Sequence, residues 1–126
     1  MKIKTSNLTG PALDYAVASI EKMPKDALSV VNGHPVVLRT YWGEVTELRC
    51  EFSTNWAQGG PIIEREQITV EYQGWGGEDQ WIGYIRHDEE IAGPTPLIAA
   101  MRCYVASRLG DEVDIPEELL DAARRA

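Results

Sequence analysis

The sequence has few of the residues that usually carry catalysis or bind metals. Its two cysteines, Cys50 and Cys103, lie far apart and lack CxxC spacing, so we expect free thiols and no cysteine metal site. The two histidines, His34 and His87, each stand alone beside turn or strand-end residues. Because no nucleophile with an orienting partner is spaced around either one, we predict no histidine-activated catalytic centre.

Several common binding motifs are missing as well. The chain has no phosphate loop, no HExxH zinc motif and no Rossmann fingerprint. We therefore predict no cofactor and no metal site. The run Asp88-Glu89-Glu90 is interpreted as a solvated face, because consecutive carboxylates point in different directions.

Basic residues are scarce relative to acidic ones. The chain has 20 acidic and 12 basic side chains and a formal net charge of −8. This charge repels phosphate backbones, so we expect no nonspecific DNA binding. No apolar run reaches the length of a membrane span, and the N-terminus lacks the hydrophobic core of a signal sequence. A cytoplasmic protein without membrane contact is therefore expected.

The residues that are present suit an ordinary globular protein. Hydrophobic residues make up 44% of the chain and charged residues 25%. With 126 residues, the chain is long enough to bury a core without disulfides or metals, so we predict one domain over residues 1–126.

Three segments carry helix signals. Residues 9–21 have a proline in the first turn and an apolar stripe with helical spacing, and Pro24 is predicted to end that helix. Residues 96–109 repeat apolar side chains every four positions between a threonine cap and a glycine stop. An acidic linker, 111–114, precedes a short terminal helix over 116–125.

Strand signals lie between the helices. β-branched and aromatic residues bounded by turn residues predict strands over 28–31, 36–42, 68–72 and 80–86. Residues 44–52 fit either a strand or an extended loop. We therefore predict an α+β fold, with about three helices packed on a mainly antiparallel sheet of three to four strands.

The segment Ser53–Glu66 is less regular. Asn55 can cap a single helical turn, the glycine pair is predicted to break it, and Pro61 can open a second short helix. One interpretation makes this segment the wall of a small-ligand pocket. In the other, its tryptophan and isoleucines fill a small core while the glycines only turn the chain.

The pocket interpretation gives each polar or aromatic residue a role. A tryptophan can stack on a ring, glycines let a ligand approach the main chain, and arginines can meet an anion. The candidate ligand-binding residues come from this segment and from the long helix: Trp56, Gln58, Gly59, Gly60, Glu64, Arg65, Thr95 and Arg102.

Three blocks of the sequence carry a resemblance. They are TGPALDYAVA at 9–18, STNWAQGGPIIERE at 53–66 and GPTPLIAAMRCYVAS at 93–107. Together they resemble the NinX-like family of phage and prophage proteins of unknown function. Asn55 stands where that pattern usually has aspartate, and Gln67 where it usually has glycine. The second departure suggests that the turn after Glu66 needs no positive φ.

The resemblance implies an accessory phage protein in a bacterial host cell and no particular activity. It favours the pocket interpretation, so our first hypothesis is a non-enzymatic binder of a small polar or nucleotide-like ligand in host takeover or counter-defence. The alternative is an acidic module that docks on a host or phage replication or recombination protein through residues 88–90 and 111–121. A third hypothesis is a small metal-dependent hydrolase. Four tryptophans in a small domain also suggest a homodimer.

Overall fold

The computed structural model describes residues 1–21, 28–74, 80–86 and 90–120, except for the side chains of 39–41. Within these residues the chain has an α+β fold with three α-helices and eight short strands. Every strand pair is antiparallel. The predicted fold class is confirmed, and the strands are divided among three small sheets.

The elements follow one another along the chain as β1 (Lys2–Lys4), α1 (Gly10–Ile20), β2 (Leu28–Val31), β3 (His34–Tyr41), β4 (Glu44–Arg49), α2 (Trp56–Glu66), β5 (Ile68–Tyr72), β6 (Trp81–Ile85), β7 (Ile91–Gly93), α3 (Pro96–Leu109) and β8 (Glu112–Asp114). A short 3-10 turn, Thr5–Asn7, connects β1 to α1. One sheet pairs β1 with β8, the second has the order β2-β3-β4, and the third has the order β5-β6-β7.

Helix α3 forms the centre of the core. Nine consecutive residues, Leu97–Val105, are buried. The helix contacts β5, β6 and β7 as well as α1 and α2, so it presents no wide polar face to solvent. Its predicted bounds are confirmed: the Thr95 side chain accepts a hydrogen bond from the Ile98 amide at 3.1 Å, and Gly110 follows the last helical residue.

Two glycines let α3 lie against the sheet. A Cβ atom on Gly83 would stand 2.9 Å from the Ala99 carbonyl oxygen, and one on Gly93 would stand 2.7 Å from the Ala99 amide nitrogen. Both distances are too short for a real side chain. The backbones of β6, β7 and α3 therefore touch directly, which explains why glycine and alanine meet here.

Helix α1 lies close to its predicted position. It spans Gly10–Ile20, and the side chains of Leu13 and Val17 on its apolar stripe are fully buried. The predicted end at Pro24 lies outside the described residues.

The prediction of a broken helix between Asn55 and Glu66 is wrong. Residues 56–66 form the continuous helix α2, whose first turn is capped by Asn55, which accepts a hydrogen bond from the Ala57 amide at 2.9 Å. Pro61 lies inside the helix, where its ring removes a bond to the carbonyl of Ala57. Because Ala57 is exposed, water can satisfy that carbonyl.

The interpretation of Gln67 is also wrong. This residue ends α2 in the left-handed conformation, with φ 55° and ψ 48°. Its amide donates to the carbonyls of Ile63 and Glu64, which would otherwise lack partners at the helix end. The turn therefore requires a positive φ, and glutamine adopts it in place of glycine.

Of the open segment 44–52, residues 44–49 form strand β4 and residues 50–52 lie outside it. The strand pairs with β3 through a two-residue turn, Trp42-Gly43, in which both residues have positive φ, 53° and 85°. A type I′ turn requires this combination, and its twist matches that of the flanking strands. Trp42, predicted as the end of a strand, therefore forms the tip of a hairpin.

The acidic segment 111–114 is not a linker. Residues 112–114 form β8, which pairs with β1, and the N-terminal amino group of Met1 binds the Asp114 carboxylate at 2.8 Å. Residues 117–120 are helical, as predicted, and the rest of the predicted terminal helix lies outside the described residues.

The glycine pair in α2 yields a matched prediction. A Cβ atom at position 59 would stand 2.5 Å from the Phe52 carbonyl oxygen and 2.6 Å from Leu97 Cδ1. We expect Gly59→Ala to lower the free energy of unfolding by about 1–3 kcal/mol because the crowded site must shift. At position 60 the nearest atom is 4.0 Å away, on Trp56, so Gly60→Ala should raise stability by about 0.5–1 kcal/mol. Urea denaturation of both variants checks this, and equal effects would contradict it.

Candidate functional site

Arg65, a predicted ligand contact, joins all three helices. Its guanidinium donates to both carboxylate oxygens of Glu21 at 3.0 and 2.7 Å, to Glu66 at 2.9 Å and to the Tyr104 hydroxyl at 3.1 Å. The Tyr104 hydroxyl in turn donates to Glu21. Glu21 follows the last residue of α1 and Tyr104 lies on α3, so this cluster connects α1, α2 and α3.

The pKa values of Glu21 and Tyr104 are shifted in the directions that preserve the hydrogen bonds of this cluster. Burial alone would raise the pKa of Glu21, but the hydrogen bonds from Arg65 and Tyr104 outweigh it and hold the pKa below its ordinary value. Burial and the bond to Glu21 raise the pKa of Tyr104 to about 12. Neither group titrates near neutral pH, so neither is suited to general acid–base catalysis there.

Arg102, another predicted contact, is buried elsewhere. Its side chain is 6% exposed and donates to the main-chain carbonyl of Leu8 at 2.7 Å and to that of Ala92 at 2.8 Å. These bonds connect α3 to the segment before α1 and to β7. A buried guanidinium needs such acceptors, and Arg102 uses them to cross-link the core.

Gln58 and Gly59 also have structural roles. The Gln58 side-chain amide accepts a hydrogen bond from the Glu51 amide at 2.7 Å and donates to the Arg49 carbonyl at 3.0 Å. It thereby binds the backbone at the end of β4. Gly59 is buried against Phe52 and Leu97, and this close contact is the basis of the Gly59→Ala prediction.

Trp56, Gly60 and Glu64 lie one helical turn apart on the outer face of α2. Trp56 is 55% exposed and Glu64 is exposed, while Gly60 lies beside the Trp56 ring. Trp56 therefore does not fill the core. The interpretation that placed its side chain there is wrong for this residue.

The predicted pocket wall does not form one cleft in the described part of the chain. Arg65 and Arg102 bind different groups, and Thr95 caps α3. Of the candidate residues, Gln58 alone lines either of the two cavities described next. Four of the eight candidates, Gln58, Gly59, Arg65 and Arg102, contact other elements of the structure.

The larger cavity, of about 660 Å³, lies where β1 and β7 meet the end of α3. Its ionisable lining residues are Lys4, Glu90, Asp111 and Glu112, and its buried wall includes Cys103. Among the described lining residues, three carboxylates stand against one lysine. That balance disfavours the phosphate of a nucleotide-like ligand.

Among the described residues, the two most exposed large apolar side chains, Trp42 and Val45, lie on the β3–β4 hairpin. Trp42 at its tip is 101% exposed, and Val45 and Leu48 on β4 are 64% and 43% exposed. All six residues of β4 are exposed, so neither face of this strand is covered by the described chain. A bulky side chain at positive φ is disfavoured, and full exposure means that no packing contact of Trp42 offsets the cost.

A second cavity, of about 500 Å³, runs beside β4. Its apolar lining residues are Val37, Leu48, Cys50 and Phe52. Burial and the nearby Asp14 charge raise the pKa of Cys50 to about 11. The thiol is therefore protonated at neutral pH and adds an apolar wall, not a nucleophile.

Sequence reasoning missed the hairpin tip although a signal was present. Trp42-Gly43 separates two runs of β-forming residues, and a glycine at the second position of a two-residue loop is typical of a type I′ turn. The exposure of β4 had a weaker signal: Val45 and Leu48 are three residues apart and therefore lie on opposite faces, so the strand has no continuous apolar face.

Among the described residues, no group of three or more His, Cys, Asp or Glu side chains is placed to hold a metal ion. None of the described helices has the length and apolarity needed to cross a bilayer.

The pKa of one buried carboxylate, that of Asp14, is shifted. Asp14 on α1 is 5% exposed and accepts a hydrogen bond from the Ser53 amide at 2.7 Å, which anchors the segment leading into α2. Burial raises the pKa of Asp14 from 3.8 to about 6, despite the opposing effect of hydrogen bonding to Ser53. Because the pKa is higher in the folded state than in the unfolded state, Asp14 favours folding most below pH 4, and this contribution is lost as the pH rises to 6.

Replacing this carboxylate should therefore stabilise the protein at alkaline pH. Asp14→Asn keeps an acceptor for the Ser53 amide and removes the buried charge. We expect it to raise the free energy of unfolding by about 1–3 kcal/mol at pH 8 and to change it little at pH 4. Urea denaturation at both pH values measures the effect, with Glu64→Gln on the exposed face of α2 as a control within about 0.5 kcal/mol. A loss of stability at pH 8 would show that the ionised form is required.

Comparison with known proteins gives one family. A family model described as Bacteriophage P22, NinX matches residues 4–108, which contain α1, α2 and β2 to β7 and nearly all of α3. The comparison with curated proteins gives no match.

Proposed function

Because this chain belongs to the bacteriophage P22 NinX family, we propose that it is a phage accessory protein that docks on another protein through the β3–β4 hairpin. This is the alternative hypothesis from the sequence, moved to a different surface. The small polar or nucleotide-like ligand stays a prediction.

The exposed Trp42 carries the proposal. A tryptophan at the tip of a hairpin, fully exposed and in a disfavoured backbone conformation, contributes no packing to its own fold. Tryptophan is enriched at the energetic centres of protein interfaces, where a large rigid side chain enters a pocket of the partner. The strain of the turn is then offset in the complex.

The contacts of the predicted pocket residues support docking over ligand binding. Arg65 and Arg102 hold the helices and the core together, so neither is placed to meet an anion. Within the described chain, β3 packs into the core through Val37, but the side chains of β4 and the Trp42 tip make no comparable core contact.

The charge around the hairpin indicates the kind of partner. Glu44, Glu47 and Glu51 lie on or beside β4, and Arg49 is the basic residue among them. With a net charge of −8 for the whole chain, this surface steers toward a basic protein. Host or phage replication and recombination proteins, which bind DNA, present such surfaces, and engaging one would serve host takeover or counter-defence.

The test starts with a photo-crosslinking amino acid at position 42 in phage-infected cells. The captured protein is identified and purified, and its affinity is then measured for the original chain and for Trp42→Asn. Asn-Gly is the preferred type I′ turn, so this variant should fold at least as stably while binding at least about tenfold more weakly. Complex formation should also weaken from low to high salt.

Trp56→Gln is the matched control, because it removes an exposed tryptophan that lies on α2 and not on the hairpin. We expect it to change the affinity less than about threefold. If Trp42→Asn folds and binds the purified protein as tightly as the original chain, docking through the hairpin is wrong.

A further inference from the structure

We propose that β4 accepts an extended, basic segment of the partner as an added strand of the β2-β3-β4 sheet. This inference rests on the proposed docking function and specifies its mode and the chemistry of the segment. The β4 edge, the position of Gln58 and the charges of β4 each contribute to it.

The free edge of β4 has backbone groups that point outward. Tyr41 and Glu44 close the two-residue turn, and the Cys50 amide donates to the Pro35 carbonyl at 2.9 Å. Hydrogen-bonded pairs alternate along an antiparallel ladder, so the N–H and C=O groups of Val45 and Glu47 face away from β3. In the described part of the chain, no strand pairs with that edge.

Gln58 shows where the open edge ends. Its side-chain amide bonds the Arg49 carbonyl and the Glu51 amide, as the peptide group of a neighbouring strand would. This covers the C-terminal end of β4 and leaves residues 44–47 for an incoming strand. A free edge of this kind is a template for pairing, and addition of an extended peptide to an exposed edge is a recurring mode of recognition.

The position of Gln58 also argues against a second copy as the occupant. Two-fold antiparallel pairing centred on Leu48 would set Glu47 opposite Arg49 of the other copy, but it requires the Arg49 carbonyl that Gln58 occupies. Pairing centred on Thr46 leaves Gln58 in place but sets Val45 opposite Glu47 and Glu44 opposite Leu48. Neither of these two arrangements is complementary, and any pairing of two copies brings two acidic edges together, so a basic segment of a different chain fits better.

The side chains of the open edge specify the segment. Glu44 and Glu47 are three residues apart and therefore lie on opposite faces of the sheet, with Val45 between them. Cross-strand neighbours of opposite charge stabilise a pair, and apolar neighbours do the same. The matching segment therefore has two basic residues three positions apart, with an apolar residue opposite Val45.

A synthetic peptide tests the mode directly. The probe is the end-capped peptide Thr-Lys-Thr-Val-Lys-Thr, and the control peptide has glutamate in place of both lysines. We expect the lysine peptide to bind with a Kd below about 1 mM and the glutamate peptide at least tenfold more weakly. A third peptide with N-methyl groups on the valine and the first lysine keeps the charges, loses the backbone donors and should also bind at least tenfold more weakly.

Amide hydrogen exchange locates the pairing. Saturating lysine peptide should slow exchange of the Val45 and Glu47 amides at least threefold, because these face outward, and should leave the inward-facing Thr46 amide unchanged. The double variant Glu44→Gln with Glu47→Gln should weaken binding at least tenfold. Glu64→Gln, which removes one carboxylate on α2 away from the β4 edge, is the control and should have no effect.

Three results would overturn strand addition. They are no binding of the lysine peptide at 1 mM, binding without slowed exchange at Val45 and Glu47, and a dimer in sedimentation that closes the β4 edge. The added strand and the docking function can fail separately. If Trp42→Asn loses the purified partner but the edge amides stay unprotected, docking stands and the added strand is wrong.

Discussion

The burial of α3 on all sides is the constraint on which the rest of the structure depends. A helix with nine consecutive buried residues must be covered by sheet and by helices at once. The small residues Gly83 and Gly93 bring the sheet to its backbone, and Gly59 brings α2 to Leu97. Polar residues then connect the covering elements: Arg65 through Tyr104, and Arg102 through main-chain carbonyls.

In this arrangement, the polar residues of the core and the β3–β4 hairpin have different roles. Several polar residues in the three blocks that resemble the family connect elements of the core: Arg65 binds α1 and α3, Arg102 binds β7, and Asp14 binds the segment before α2. The β3–β4 hairpin lies outside those contacts. Its strand is exposed on both faces, and its tip presents an aromatic side chain that packs against nothing in the described chain. In the described chain, the core thus leaves β4 and the Trp42 tip uncovered, and the proposed docking rests on this surface.

The sequence predicted elements well where local signals agree. For α3, a threonine cap, a proline at the first position, apolar periodicity and a terminal glycine all indicate the same helix. In α2 the local signals disagree with the structure, because two glycines and a proline usually end a helix. Packing of Gly59 against Leu97 and the cap at Asn55 outweigh those propensities. The pocket prediction rests on residue type and on the family resemblance, and neither distinguishes an arginine that is open to an anion from one already bound to Glu21.

By itself, the sequence determined the α+β class, the membership of a phage family and the position of the central helix, because these depend on local periodicity, caps and recognisable blocks. Only the tertiary structure decided which polar residues are engaged and which surface is open. The partners of Arg65 lie 44 and 39 residues away, at Glu21 and Tyr104. Contacts over such distances arise only when the helices pack. The exposure of Trp42 and β4 is also a property of the whole fold, because it depends on which surfaces the other elements leave uncovered.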